Sequence, residues 1–291
     1  MLDSKKLRLL REVKVHGGVT KAARSLRVSP ASISQQITRL EHDYNVKLLE
    51  KSGRGVRLTP VAHQLVAHAE QLLSILEQAE ADILVSREKV SAVVRIASFQ
   101  TFGTGYLPRV IRHVKESFPG ITVRFSQLEP ESAIAELLAR RLDLVVADEY
   151  PGISLPPTPG VFRKELGVEP IDVHIPETFL TPSAAVWALE PQGTDSRAFA
   201  EQMCRVSGFE PNVGFESPDP SLHRKLVEAG VAAAFLPRNV ADGLPESVVG
   251  SSLAGGGLSR QLVALYRRGT QNNPALVASL AAVEAAVAKE L

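Results

Sequence analysis

The 291-residue chain is 44% hydrophobic and 22% charged, the balance of a globular protein large enough for two or three domains with sizeable cores. No apolar run reaches the ~20 residues of a membrane-crossing helix, and the N-terminus MLDSKKLRLLREVKVH lacks the apolar stretch and small-residue cleavage site of a secretory signal, so the expected compartment is the cytoplasm. The formal net charge of +1 hides a split: residues 1–60 carry 13 Lys and Arg against 5 Asp and Glu, the remainder 20 against 27, which places a basic head suited to a polyanion on an acidic body.

Residues 3–15 read as a first helix with Leu7, Leu10 and Val13 turned inward, ended by Gly17-Gly18. Val19, Ala22, Ala23 and Leu26 then repeat at i, i+3, i+4 and i+7, one helical stripe whose alanines admit a close neighbour. Arg27-Val28 is the turn. Ser29 caps a third helix and Pro30 opens it, at a position that needs no N–H donor. Ile33, Ile37, Leu40 and Tyr44 form its expected buried stripe. The opposite face shows Ala31, Ser34, Gln35, Thr38, Arg39 and His42, with no acid among them. Hydroxyl, amide and guanidinium groups are those that bond base edges and phosphates. On spacing alone an ordinary amphipathic helix pair remains the alternative, because helix-turn-helix patterns are weak signals. Positions 46–59 alternate polar and apolar residues about the turn Ser52-Gly53-Arg54-Gly55, the pattern of a short hairpin wing. Arg54 at its tip and Arg57 are placed to reach a minor groove or phosphates.

Thr59-Pro60 starts a further helix with no breaker through residue 89. Leu65, Ala69, Leu72, Leu76, Ala79 and Ile83 are spaced 4, 3, 4, 3, 4, a heptad seam that calls for a partner helix. His63 and His68, five residues apart, do not share a face, and no metal site is expected.

From residue 90 strands alternate with helices, the mark of βαβ units. Strands are expected at 93–98, 121–125, 144–147, 171–175, 184–188, 213–215, 231–236 and 262–266, and helices at 104–117, 130–140, 196–206, 220–229 and 274–289. The proline-rich 151–160 is a loop and a candidate crossing point between lobes. The expected division is a head at 1–60, a linker helix at 61–89 and a body at 90–291. In such sheets ligands sit beyond the carboxyl ends of strands, near helix N-termini. Ser98, Gln100, Thr101, Gln127 and Thr194 occupy such places, with Phe102 and Asp148 as further wall residues. Helix capping alone would also explain hydroxyls and amides there. Their chemistry suggests a small anionic metabolite. Trp187 is expected in the core. The single cysteine, Cys204, rules out an internal disulfide and is expected to be a packing residue. No phosphate loop, metal cluster or nucleophile elbow is visible, so neither enzyme nor cofactor is expected.

The run GGVTKAARSLRVSPASISQQITRLE, followed by KLLEKSGRGVRLTP, strongly resembles the N-terminal signature of the LysR-type transcriptional regulators. Total length and the order of later elements are also similar, and Val231 to Pro237 (VAAAFLP) resembles the family's strand near the end of the second lobe. Leu49 stands where the family usually has Phe and Ala62 where Gly is common. Gln35 and Pro30 stand where many members carry Arg and Gln, which bears on the bases read rather than on DNA binding. The resemblance implies an α/β architecture: a winged helix-turn-helix, a dimerising linker helix and a two-lobed, Rossmann-like effector domain of the periplasmic-binding-protein kind, with a first lobe of 90–162 and 262–291 and a second of 163–261. It implies contacts to double-stranded operator DNA from Thr20, Lys21, Ser29, Pro30, Ala31, Ser34, Gln35, Thr38, Arg39, Arg54 and Arg57. It also implies a small effector between the lobes, self-association as a dimer and tetramer, and RNA polymerase as a partner if the protein activates. A constitutive autorepressor or DNA-bending protein with a vestigial effector cleft is the alternative.

Overall fold

The computed structural model describes residues 2–52, 55–85, 91–244, 248–251 and 253–288. Arg54 and the expected linker boundary at 89/90 lie outside the described residues.

The head is built from α1 (Ser4–Val15), α2 (Val19–Leu26) and α3 (Pro30–Tyr44), followed by the hairpin β1 (Leu49–Ser52) and β2 (Gly55–Leu58). Asp3 caps α1 by accepting from the Lys5 amide, and Ser29 caps α3 by accepting from the Ser32 amide at 3.1 Å. Each cap satisfies one of the amides that a helix start leaves unpaired. Arg27 and Asn45 close α2 and α3 in the left-handed conformation, at φ 55° and 50°. Leu10, Val13, Ala22, Ala23, Ile33, Ile37 and Leu40 form one core with Leu48, Ala62 and Val66. Tyr44 departs from the expected stripe and is 48% exposed. The core ends one turn earlier, where Val46 and Leu48 fold back under α3.

The linker α4 (Pro60–Val85) packs its first half on α1 through Ala62, Val66 and Ala69. The body then follows as β3 (Ala92–Ser98), α5 (Gln100–Gly105), α6 (Leu107–Ser117), β4 (Ile121–Gln127), α7 (Pro130–Leu138), β5 (Leu144–Glu149), β6 (Val161–Pro176), β7 (Val186–Leu189), α8 (Asp195–Val206), β8 (Asn212–Glu216), α9 (Pro220–Glu228), β9 (Ala234–Pro237), α10 (Arg238–Ala241), β10 (Val248–Ser251), β11 (Ser259–Arg267) and α11 (Pro274–Ala288). The helix expected at 104–117 is broken at Tyr106, because Pro108 lies in the first turn of α6 and cannot continue α5.

The main sheet has the order β10-β6-β11-β5-β3-β4, with β9 also paired to β6. It is mixed: β3 runs parallel to β4 and β5, whereas β11 is antiparallel to both β5 and β6. Successive residues of β5 feed opposite faces. Leu144 and Val146 meet α6 and α11, while Val145 and Ala147 meet α7. The crossing between lobes occurs inside β6 rather than in the proline-rich loop. Residues Val161–Pro170 pair with β11, and Ile171–Pro176 pair with β9 and β10. The expected lobe boundary at 162/163 therefore falls within one continuous strand. Trp187 and Cys204 are fully buried in the core of the second lobe, and burial pushes the Cys204 thiol up to about 12, the state of an inert packing residue.

Candidate functional site

The head presents one polar surface. Ala31, Ser34, Gln35, Thr38 and Arg39 are all exposed on α3, while Ile33, Ile37 and Leu40 on its other side are almost wholly buried. Thr20 and Lys21, in the first turn of α2, are exposed, as are Ser29 and Pro30 at the start of α3. Arg57 is exposed on β2 and paired with Glu50 across the hairpin at 2.9 Å. The wing is tied to α3 by Glu41, whose carboxylate accepts from the amides of Leu48 and Leu49 at 2.7 and 3.1 Å. Burial acts to raise this carboxyl, but the two amides and Lys47 outweigh it and hold it below the usual glutamate range.

A second site lies between the lobes, a cavity of about 230 Å³ beyond the ends of β3 and β5. Four of the expected residues line it: Gln100, Thr101, Asp148 and Thr194. Gln100 reaches across from the first lobe to the second, its Nε2 donating to Asp219 Oδ1 at 2.6 Å. Thr194 caps α8 by accepting from the Arg197 amide at 3.3 Å. The other three expected residues go elsewhere. Ser98 is fully buried and donates to the Phe99 carbonyl. Phe102 is turned into the core and stacks on Tyr106 with ring centroids 5.1 Å apart, and Phe99 takes the wall position instead. Gln127 is exposed at the end of β4 and away from the cavity lining.

The floor is a charge network that the sequence reading missed. Arg260, on β11 and 3% exposed, donates from Nε to Glu169 at 2.8 Å, from Nη1 to Asp148 at 3.0 Å and from Nη2 to the Thr101 hydroxyl at 2.7 Å. Tyr106 donates to Glu169 at 2.7 Å and Tyr150 to Asp148 at 3.0 Å. A buried guanidinium is tolerated only when its donors are satisfied in this way. Its guanidinium also lies over the Phe99 ring, 4.8 Å from the centroid. Burial raises both tyrosine hydroxyls well above their ordinary range. The signal was nonlocal: Arg260 and Glu169 are register partners on adjacent strands. The lining also holds Glu129, Glu131, Glu190 and Asp195, an acidic wall that does not match the anionic ligand expected from hydroxyls and amides. Burial, then the charges of Asp148 and Glu129, bring the Glu190 carboxyl up to about 7 against the opposing Ser196 hydrogen bond. Among the described residues no group of three or more His, Cys, Asp or Glu is arranged to hold a metal, and no helix is long and apolar enough to cross a membrane.

Comparison with known proteins covers both sites. The family profile described as "Bacterial regulatory helix-turn-helix protein, lysR family" matches residues 4–63, and that described as "LysR substrate binding domain" matches residues 87–288. The transcriptional dual regulator GltC of Bacillus subtilis is 26% identical over 253 residues, covering 82% of this chain and 81% of that protein. The regulator YofA of the same organism is 28% identical over 142 residues, 49% of this chain and 50% of that protein. Among solved structures, a full-length OxyR variant from Pseudomonas aeruginosa superposes with a TM-score of 0.67 at 18% identity, covering 97% of this chain and 95% of that one. Full-length CbnR complexed with its target DNA gives a TM-score of 0.52 at 22% identity, covering 98% and 100%. The chain belongs to the LysR family of helix-turn-helix transcriptional regulators.

Proposed function

We propose that this regulator recognises its operator through α3, binds as a dimer held by α4, and changes its DNA contacts when a small ligand occupies the interlobe cavity. The observation that carries the DNA reading is the exposed, acid-free row of Ser34, Gln35, Thr38 and Arg39 on a helix whose other side is locked into the head core. Such a helix fits the major groove, and its amide and guanidinium match adenine and guanine edges or phosphates. Thr20 and Lys21 then lie toward the DNA backbone.

Two half-sites supply the affinity that one short helix lacks. Support for a dimer comes from the second half of α4, where Leu72, Leu76 and Ile83 are 43%, 57% and 62% exposed. Ala79 is also exposed, whereas Leu65 packs against the head's own core and Ala69 is buried. The seam available to a partner is therefore Leu72, Leu76, Ala79 and Ile83.

Ligand control is supported by the cavity between two lobes joined through the continuous strand β6. A ligand touching both lobes favours their closed arrangement, and any such preference appears as a difference in ligand affinity between free and DNA-bound protein. The test of the DNA reading is binding of wild type and Gln35→Ala to a panel of operator variants. Relaxed preference at one base position supports it, and an unchanged profile across the panel contradicts it.

A further inference from the structure

We propose that the ligand of the interlobe cavity is a small organic cation, an amine or guanidine with a short apolar portion. This inference rests on the reading of the cavity as the ligand site and assigns the charge of its occupant.

Five carboxylates line the cavity, those of Glu129, Glu131, Asp148, Glu190 and Asp195. Among the described residues the basic side chains on its walls and on those of its deeper annex are Arg260 and His223. Neither is available to an anion. Each guanidinium nitrogen of Arg260 is committed to Glu169, Asp148 or Thr101. His223 donates to the Ser217 carbonyl at 3.0 Å, and burial holds its imidazole low and therefore neutral. Asp148 is consumed by Arg260. The other four carboxylates have no ion-pair partner among the described residues.

The helix starts that face the cavity reinforce this. In open α/β folds such starts attract anions through free amides and the positive end of the helix. Three of these starts, those of α7, α8 and α9, are already met by the chain's own acid, whereas α5, whose Gln100 and Thr101 line the cavity, carries none. Glu129 and Glu131 stand at the start of α7, Asp195 opens α8, and Asp219 caps α9 by accepting from the Ser221 amide at 2.9 Å. A ligand carboxylate would meet like charge at all three.

The carboxyls are also under strain from one another. Burial and then the charge of Asp148 raise Glu129 and Asp195, and Glu190 is brought up to about 7. A bound cation relieves that repulsion and favours the ionised forms. The groups facing Glu190 are Ser196, Asp148, Glu129, Tyr150 and Arg260, with the neutral His223 on the wall of the same annex, so the local field apart from Arg260 is negative. Binding of a cation therefore releases protons near neutrality, and affinity rises as pH rises through about 7. An anion would take protons up.

The occupant is organic rather than a bare ion because the cavity continues into an annex of about 40 Å³ walled by Ile171, Leu189, Phe199 and Phe235. The side chains of Phe99, Tyr150 and Leu155 add apolar wall to the main cavity.

The test is thermal shift and titration calorimetry on the full-length protein with three pairs sharing a carbon skeleton: benzylamine and benzoate, isopentylamine and isovalerate, 1,4-diaminobutane and succinate. The expected result is binding by at least one amine and not by its carboxylate partner, with proton release at pH 7 read from two buffers of different ionisation enthalpy. Glu190→Gln and Glu129→Gln keep the side-chain shape and remove repulsive charge, so the ligand-free proteins should melt no lower than wild type. Each should weaken the amine by about 10- to 100-fold, the worth of a charged hydrogen bond. Binding of a carboxylate, amine binding that ignores both substitutions, or no response to any of the six compounds overturns the proposal. Protection of upstream DNA is measured separately, so the regulator reading stands or falls independently.

Discussion

Glu77 of the linker helix and Arg267 at the end of β11 meet at 2.7 Å across 190 positions of sequence. Arg140, just after α7, donates to the same carboxylate oxygen. Arg267 also donates to the carbonyls of Leu137 and Leu142, and Arg11 of α1 joins Glu70 of α4 to the Leu138 carbonyl. One carboxylate thus fastens the linker to the first lobe by two largely buried cations.

Glu77→Ala should leave Arg140 without its ion-pair partner and Arg267 with Asp143 alone, at 3.3 Å. Breaking a buried pair from one side costs about 3–5 kcal/mol, and the lower end applies because Arg140 keeps some exposure. The expected outcome is a lower melting temperature and faster proteolysis within α4. Melting and cleavage rates equal to wild type would contradict the docking role.

Gln35 and Arg39 should separate specificity from affinity. Gln35→Ala should cost about 1–3 kcal/mol at its cognate base and little elsewhere. Arg39→Ala should weaken all sequences alike and lower the salt slope by about one unit. Anisotropy titrations across salt concentrations distinguish the two effects.

Leu72→Asp and Leu76→Asp test the seam on α4. Both side chains are exposed in the single chain, so the protomer should fold normally. Each leucine buried at a dimer interface is worth about 1.5–3 kcal/mol, at least tenfold in the dimer dissociation constant. Sedimentation should show monomers, with the melting profile of the head retained.

Glu41 gives the head a pH dependence of known sign. Its carboxyl is held below the ordinary value of 4.5, so its contribution is fully present above that value and is lost as pH falls through the lower folded value. Glu41→Gln keeps the shape and removes the charge. The melting difference between wild type and variant should be constant near neutrality and shrink as pH falls below 4.5; a difference independent of pH would exclude the ionised carboxylate as its source.

The head was legible because its signals are local. Caps at Ser29 and Pro30, small residues at Ala22 and Ala23 and the spacing of Ile33, Ile37 and Leu40 lie within a few turns of one another. Tyr44 was misplaced because periodicity says which face a residue occupies, not where the core ends. The first half of β6 is not legible as a strand because FRKELGVEP puts charged residues on both of its sides, and those charges make sense only beside β5 and β11. Glu149, for example, takes Arg163 at 2.6 Å. The Arg260 network was hidden for the same reason, since its members come from three strands and α5. That Gln100, Thr101 and Thr194 line the cavity is legible because strand ends and helix starts carry their own marks, whereas the acidity of the cavity depends on how α7 and α8 face each other.

Operator recognition by paired dimers is tested most directly by a DNase footprint of the purified protein on the DNA upstream of its own gene. Two dimers side by side should protect about five or six helical turns with an interrupted two-fold repeat, and Leu72→Asp combined with Leu76→Asp should abolish protection of the repeat. Salt-sensitive binding to any DNA with no protected stretch would contradict such recognition.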